Sequence, residues 1–390
     1  MTSMSYINRA LLLAGLALPS LDLVHKYGGD AALLVYPLVI AGLLLLAERQ
    51  ALRLPTAAMS RWCVAVAIAL LVAMVVAFLL VFPLANVHEP GHGSDTDEAY
   101  NLGVRALLEW RSPYIEPTYL GSRIHQLPGS LLLATPFVLL GNSAWQNLLW
   151  MALYTVVLIR CMGALRGTSL LLLQLAASPV LMHQIVTGSD GVMTGLSTML
   201  AMMAVLHTWS ANTSPPLFRW GSVALLALAL SNRLNLVLGM IPPVMYVWRL
   251  GNRRQAAMLA AVLGSLLVVL DFALYVVDPA MYAPLNALDR ASRFETLLPG
   301  SAVLIPLVGG AVTILAGWRR QQNATAWAAP LMAFGLGQGV MVVAGMALSS
   351  IDAGAFDTSY SYYACSFMLF PFCWVVWQRL TASRDFNDAR

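Results

Sequence analysis

Long apolar runs alternate with short polar breaks along nearly the whole chain. A membrane-spanning helix needs about 20 apolar residues, within a range of about 17 to 25. By that rule residues 7–24, 31–47 and 62–84 read as spans, the third without a single charge. The alternation continues through 145–159, 170–186, 192–207, 220–230, 234–248, 256–277, 301–318, 327–348 and 360–377. These runs predict an all-α, polytopic integral membrane protein of about twelve spans. The run 131–140 is half as long and carries Pro136, so it reads as interfacial or re-entrant rather than spanning.

One interval breaks the pattern. Residues 88–129, HEPGHGSDTDEAYNLGVRALLEWRSPYIEPTYLGSRIHQLPG, form the longest polar stretch. Within it Tyr100, Val104, Leu107 and Leu108 recur at helical spacing, which predicts an amphipathic helix along the membrane surface. A second such pattern, Leu285, Leu288, Ser292 and Glu295, lies in the loop 278–300 and reads as a lid over a lipid head group or an ordinary interfacial helix. The chain reads as one membrane domain over 1–390, with a part centred on 62–249 and further spans over 256–378.

Composition agrees with this reading. The 390 residues are 59% hydrophobic and 10% charged, which excludes an ordinary soluble domain, and the net charge of +4 carries no sign of nucleic-acid binding. The placement of basic residues matters more. Arg49, Arg53, Arg61, Arg160, Arg166, Arg249, Arg253, Arg254, Arg319 and Arg320 fall in loops on one side, which predicts that side, and both termini, to be cytoplasmic. The opposite face then collects Asp95, Asp97, Asp190, Arg233, Asp289, Arg290, Arg293, Glu295 and the turn 352–357. A multi-pass plasma-membrane protein, of the bacterial inner-membrane kind, is the expectation. The run from Ala10 to Leu18 after Arg9 reads as a retained first span rather than a cleaved signal peptide, and Cys63, Cys161, Cys365 and Cys373 read as small buried hydrophobes.

Several groups could carry chemistry. Asp95 with Glu98 three residues on fits a helix capping box; equally, one aspartate could face a cavity as a general base or hold a divalent ion beside a phosphate. His88-Glu89-Pro90-Gly91-His92 matches the letters of a zinc-protease helix, but Pro90 and Gly91 are unsuited to a helix interior. His183, Gln184 and Asp190 flank the outer end of a span, where Asp190 either caps the next helix or serves a site. Arg233, with Asn232 and Asn235 beside it, either snorkels to the interface or holds a phosphate at the end of a broken helix.

The runs DTDEAY at 95–100, LLEWRSPY at 107–114 and LPGSLLLATPFVLLGNSAWQN at 127–147 resemble the multi-pass glycosyltransferases of the GT-C class, which include polyprenyl-phosphate-mannose transferases, protein O-mannosyltransferases and lipid A aminoarabinose transferases. Asp97 with Tyr100, Pro113 with Tyr114, Pro128 and Gly141 stand where that class has its acidic loop residue, its aromatic, its Pro-Tyr turn and its proline-led apolar segment. Asp190 resembles the second acidic position. Two features depart from the pattern: two spans precede the one leading into the acidic loop, and Glu109-Trp110-Arg111 replaces the usual glycine before Pro-Tyr.

The resemblance implies a glycosyltransferase of the extracytoplasmic face that takes a polyprenyl-phosphate sugar donor and a lipid, glycan or protein acceptor. In such a reaction Asp97 is expected as base, with Asp95 in reserve, and Arg233, with Arg290 or Arg293, on the donor phosphate. Asp190, Glu98, Tyr100, Tyr114, His125 and His183 would line the substrate. A divalent cation, Mg or Mn, would sit among Asp95, Asp97 and Asp190 if one is used. The rival expectation is a transporter or flippase of a lipid-linked saccharide, which also needs broken helices and charge at membrane depth.

Overall fold

The computed structural model describes residues 3–53, 57–87, 89, 94–210, 214–285, 292–318 and 327–385. Among these residues every regular element is helical. Six helical stretches are long and apolar enough to cross a membrane, or seven if a bent pair is one span, and shorter apolar helices pack beside them. The protein is thus an all-α membrane protein.

Helices α1 (Ser3–Ala17) and α2 (Leu21–Arg53) open the chain, joined by a 3-10 turn. The apolar stretch Tyr6–Glu48 has 43 residues and would be about 65 Å long if straight, twice a bilayer core of about 30 Å. It folds back instead. Gly29, at φ +66 and ψ −167, breaks α2 in a conformation open to glycine, and Arg9 meets Glu48 across 2.9 Å, so the two legs run antiparallel. The separate spans expected at 7–24 and 31–47 correspond to these legs. Leu12 and Leu16 are fully buried, with Gly15 packed against Cys373 and Phe372.

Next come α3 (Ala57–Ala85), α4 (Thr96–Leu108), α5 (Pro128–Leu139) and α6 (Trp145–Met162). Helix α5 does not cross the protein. At its start Leu127 and Ser130 donate backbone N–H groups to the carbonyls of Asn232 and Ser231; just past its end Asn142 reaches Asp97. Both termini lie beside one cluster, which fits a short interfacial or re-entrant helix.

The run expected as one span over 170–186 is bent. Helices α7 (Ala164–Ala177) and α8 (Pro179–Thr187) meet at 80°. Pro179 removes an N–H and forces Ser178 out of helical geometry, to φ −126 and ψ 83. The side chain of Ser178 then donates to Leu16 O at 2.6 Å. The segment expected as a span over 360–377 is likewise irregular: a 3-10 stretch, Ser359–Ser366, passes into a π-helical turn, Met368–Phe372, before α15 (Cys373–Asp385). Such backbone is tolerated at membrane depth where protein surrounds it. Residues 364–377 are buried, and the bare faces of Gly195 and Gly335 let it pass against its neighbours.

Helix α9 (Gly191–Ser210) is the axis of the fold: 78% of its most apolar window is buried, against 17% for α3, whose outer face is left for lipid. Against it pack α6, α8, α10 (Pro216–Leu230), α11 (Ile241–Arg249) and the irregular 359–372 segment; α12 (Arg253–Val277) lies on α10 and α11, and α13 (Ser301–Trp318) pairs with α14 (Ala328–Ala353) beside α11. Polar contacts sort the helix ends into two sets. Arg9 with Glu48, Thr168 with Cys63 O, Trp377 with Arg166 O, and Arg249 with Gly317 O join ends assigned to one side by the basic residues. Asp22 with Ser361 and Thr358, Arg233 with Asp190, and Arg293 with Asp352 join ends assigned to the other. The cysteines carry no disulfide; three are buried and Cys161 is half-buried.

Candidate functional site

The polar cluster sits where the starts of α4 and α9 meet the turn after α10. Asp190, 4% exposed, precedes α9 and receives Arg233 Nη2 on both carboxylate oxygens, at 2.8 and 2.7 Å. Tyr100 lies under the pair, its hydroxyl 3.5 Å from Asp190 Oδ2 and 3.3 Å from Asn232 Oδ1. Burial first, and the Asp190 charge second, push the Tyr100 phenol well above its ordinary value, so it stays a neutral donor. The Arg233 guanidinium also covers the Tyr363 ring at 5.6 Å. Asp190 therefore serves an ion pair with its side chain, while its backbone carbonyl accepts from Thr194 N.

Asp97, 1% exposed, lies one turn earlier on α4. Asn86 Nδ2 donates to one oxygen at 2.8 Å and Asn142 Nδ2 to the other at 3.2 Å, while Ser143 Oγ holds the Asp97 carbonyl. Gly188 separates Asp97 from the Asp190 side: a Cβ there would stand 3.1 Å from the Asp97 Cβ. Beside Asp190 lies a crevice lined by Tyr100, Ser143, Gln146, Asn147 and Ser189, closed in this conformation to a water-sized guest and not reaching Asp97.

The capping box expected at Asp95 and Glu98 does not form. Asp95 Oδ2 accepts from Thr118 Oγ1 at 2.7 Å and Glu98 Oε2 from Tyr119 N at 2.7 Å, so both carboxylates tie down the strap between α4 and α5. A long-range partner wins over the local helix N–H groups. Burial, then the charges of Asp95, Asp97 and Glu98, raise the Tyr119 phenol.

Other expected site residues scatter. Arg293 pairs with Asp352 at 3.1 Å and reaches Arg233 only through a file of rings, Phe294, Tyr360 and Tyr363. Tyr114 is buried edge-on against Tyr282, its hydroxyl donating to Gln126 O; His125 lies on the strap near Arg123 O; the Nδ1 of His183 has no hydrogen-bond partner among the described residues. Arg290, His88 and His92 lie outside the described residues. Among the described residues no three His, Cys, Asp or Glu side chains gather as a metal site, so Asp95, Asp97 and Asp190 do not form a ready cation cage.

Sequence reasoning missed Asn86, Asn142, Tyr363 and Asp271. Asp271, a carboxylate in the apolar run of α12, accepts a short hydrogen bond from Ser231 Oγ, which itself accepts from Gly129 N at 2.9 Å. Its signal was present: a charge within a predicted span is a functional candidate by default. The relay fixes the turn that carries Asn232 and Arg233. Gly129 is required there because a Cβ would meet Ser231 Cβ at 2.6 Å and Leu228 O at 2.7 Å. Gly129→Ala is expected to lower stability by about 1–3 kcal/mol through overpacking. Thermal unfolding in detergent checks this against Gly221→Ala inside α10, whose Cβ meets nothing within 4 Å and which is expected to stabilise by up to about 1 kcal/mol.

No protein-family model matches the chain, and no curated protein or solved structure is significantly similar to it.

Proposed function

We propose that this protein is a membrane-embedded glycosyltransferase that moves a sugar from a polyprenyl-phosphate donor to an acceptor hydroxyl on the extracytoplasmic face. In this reading the chain crosses the membrane about twelve times, with the bent and short helices among the spans, and both termini are cytoplasmic. The observation that carries it is the juxtaposition of Asp97 and Asp190, from distant parts of the chain, with a cation that keeps donors to spare. Among the described residues Arg233 Nε and Nη1 make no hydrogen bond, and the side chain is 25% exposed.

The chemistry is a single displacement. The acceptor oxygen attacks the anomeric carbon and gives its proton to Asp97. The bond from that carbon to the phosphate oxygen breaks, and polyprenyl phosphate leaves with one more negative charge. Arg233, anchored through Nη2, would meet that charge with its remaining N–H groups as it develops. Asp190 sets the guanidinium plane, and the Tyr100 hydroxyl, shared with Asn232 Oδ1, lies against Asp190. Asp97 is buried, so the acceptor reaches it when the turn 141–143 that bears Asn142 swings aside. Arg293 and Asp95, paired elsewhere, have no part in this scheme.

The α7–α8 bend and the irregular 359–372 segment favour the rival reading, a carrier of lipid-linked saccharide, because broken helices are what carriers use. The two differ in products. Purified protein in vesicles holding a short-chain polyprenyl-phosphate hexose and a range of hydroxyl acceptors is expected to release free polyprenyl phosphate. Movement of intact donor between leaflets with no change in mass supports the carrier instead.

A further inference from the structure

The strap after α4 begins with an apolar tip that nothing among the described residues covers. Trp110 is 97% exposed, with Leu108 at 50% and Ile115 at 51% beside it. Arg111 folds the tip: its Nη1 donates to Glu116 Oε1 at 2.8 Å and its Nε to Glu109 Oε2 at 2.8 Å. That clasp closes 109–116 into a short loop and puts Trp110 and Ile115 on it together.

Trp110 is also the one non-glycine residue with positive φ among the described residues, at +57. A bulky side chain holds that conformation at a cost that glycine, the ordinary residue just past a helix end, would avoid. A strained, almost wholly exposed tryptophan therefore points to a surface that receives it.

Continuity decides what that surface is. Tyr114, next to Ile115, packs edge-on to Tyr282 at 5.1 Å, and Tyr282 packs on Tyr275 of α12 at 5.6 Å. The same end of α12 shows Phe272, Val276 and Val277, all more than half exposed, on a helix apolar enough to span a bilayer. The tip thus adjoins a lipid-facing wall at its end, the level where tryptophan rings settle between headgroups and acyl chains.

We propose that the 108–116 tip is a membrane-surface foot, with Trp110 seated in the bilayer interface on the site's side. Charge plays no part in the seating. Arg111 is held by two glutamates, so the tip carries no free cation to seek anionic lipid. The foot fixes the far end of the strap whose near end is tied to Asp95 and Glu98, and so sets the height of the polar cluster above the bilayer.

Depth measurement tests this without reference to any activity. Trp110→Cys in a Cys161→Ser background, labelled with bimane and placed in phosphatidylcholine nanodiscs, is expected to be quenched by lipids bearing a shallow nitroxide and shielded from aqueous iodide. Added anionic lipid leaves the result unchanged. Ile115→Cys, labelled in the same way, is expected at the same depth. Iodide quenching without nitroxide quenching at both positions overturns the proposal and marks the tip as a seat for a soluble partner. Seating that appears only with anionic lipid overturns the uncharged mode of docking.

Discussion

Replacing Arg233 with alanine is expected to destabilise the folded protein by about 3 kcal/mol, because removing one partner of a buried ion pair strands the other. Asp190 is 4% exposed and, among the described residues, its only other side-chain donor is Tyr100, 3.5 Å away and shared with Asn232. The guanidinium also covers Tyr363, so packing is lost along with charge. Adding Asp190→Asn to Arg233→Ala is expected to restore part of the loss, since it removes the stranded charge. Thermal unfolding of the wild type, both single variants and the double variant in detergent measures this coupling. Equal and additive losses would show that the pair contributes nothing beyond its separate contacts.

The second large effect separates chemistry from folding. Asp97→Asn keeps the shape of the side chain but removes its charge and its basicity. Asn86 and Asn142 both present N–H groups to Asp97, so the new amide can accept from one and opposes the other. The stability loss is expected to be about 1–3 kcal/mol, the range for one unsatisfied buried donor. Turnover is expected to fall by about 10²–10⁴, the range for a lost general base. A variant that unfolds in proportion to its loss of activity would make Asp97 a structural carboxylate. A folded variant with wild-type turnover would remove it from the mechanism.

Much of this arrangement was legible in the sequence. Lone arginines between apolar runs sorted the helix ends into two sets, and every polar contact cited between helix ends respects that division. Asp97, Asp190, Arg233 and Tyr100 were each recognised as candidates because a polar group in an apolar chain stands out. Their pairing was not legible, since periodicity says nothing about which distant turn meets which. Asp95 and Glu98 show the limit clearly: their spacing is that of a capping box, but Thr118 and Tyr119 come back along the strap to claim both carboxylates. Pro179 could have been read as a break. Its effect was underrated because the flanking residues are apolar enough for one span, and hydropathy is blind to an 80° bend. The C-terminal run hid its 3-10 and π-helical turns for the same reason: its pattern is apolar enough for one span despite Ser361, Ser366 and Pro371, whereas its geometry is set by glycines on α9 and α14.

In the proposed reaction Asp97 takes a proton while a sugar leaves a polyprenyl phosphate. Mass spectrometry of lipid and glycan extracts from cells carrying the wild type or Asp97→Asn tests it most directly. The variant is expected to accumulate a polyprenyl-phosphate sugar and to hold a glycan, lipid or protein that lacks that one sugar, the mass difference naming its class. An unchanged product in a folded, normally abundant variant, or a lipid-linked sugar of unchanged mass trapped on the inner leaflet, would contradict it.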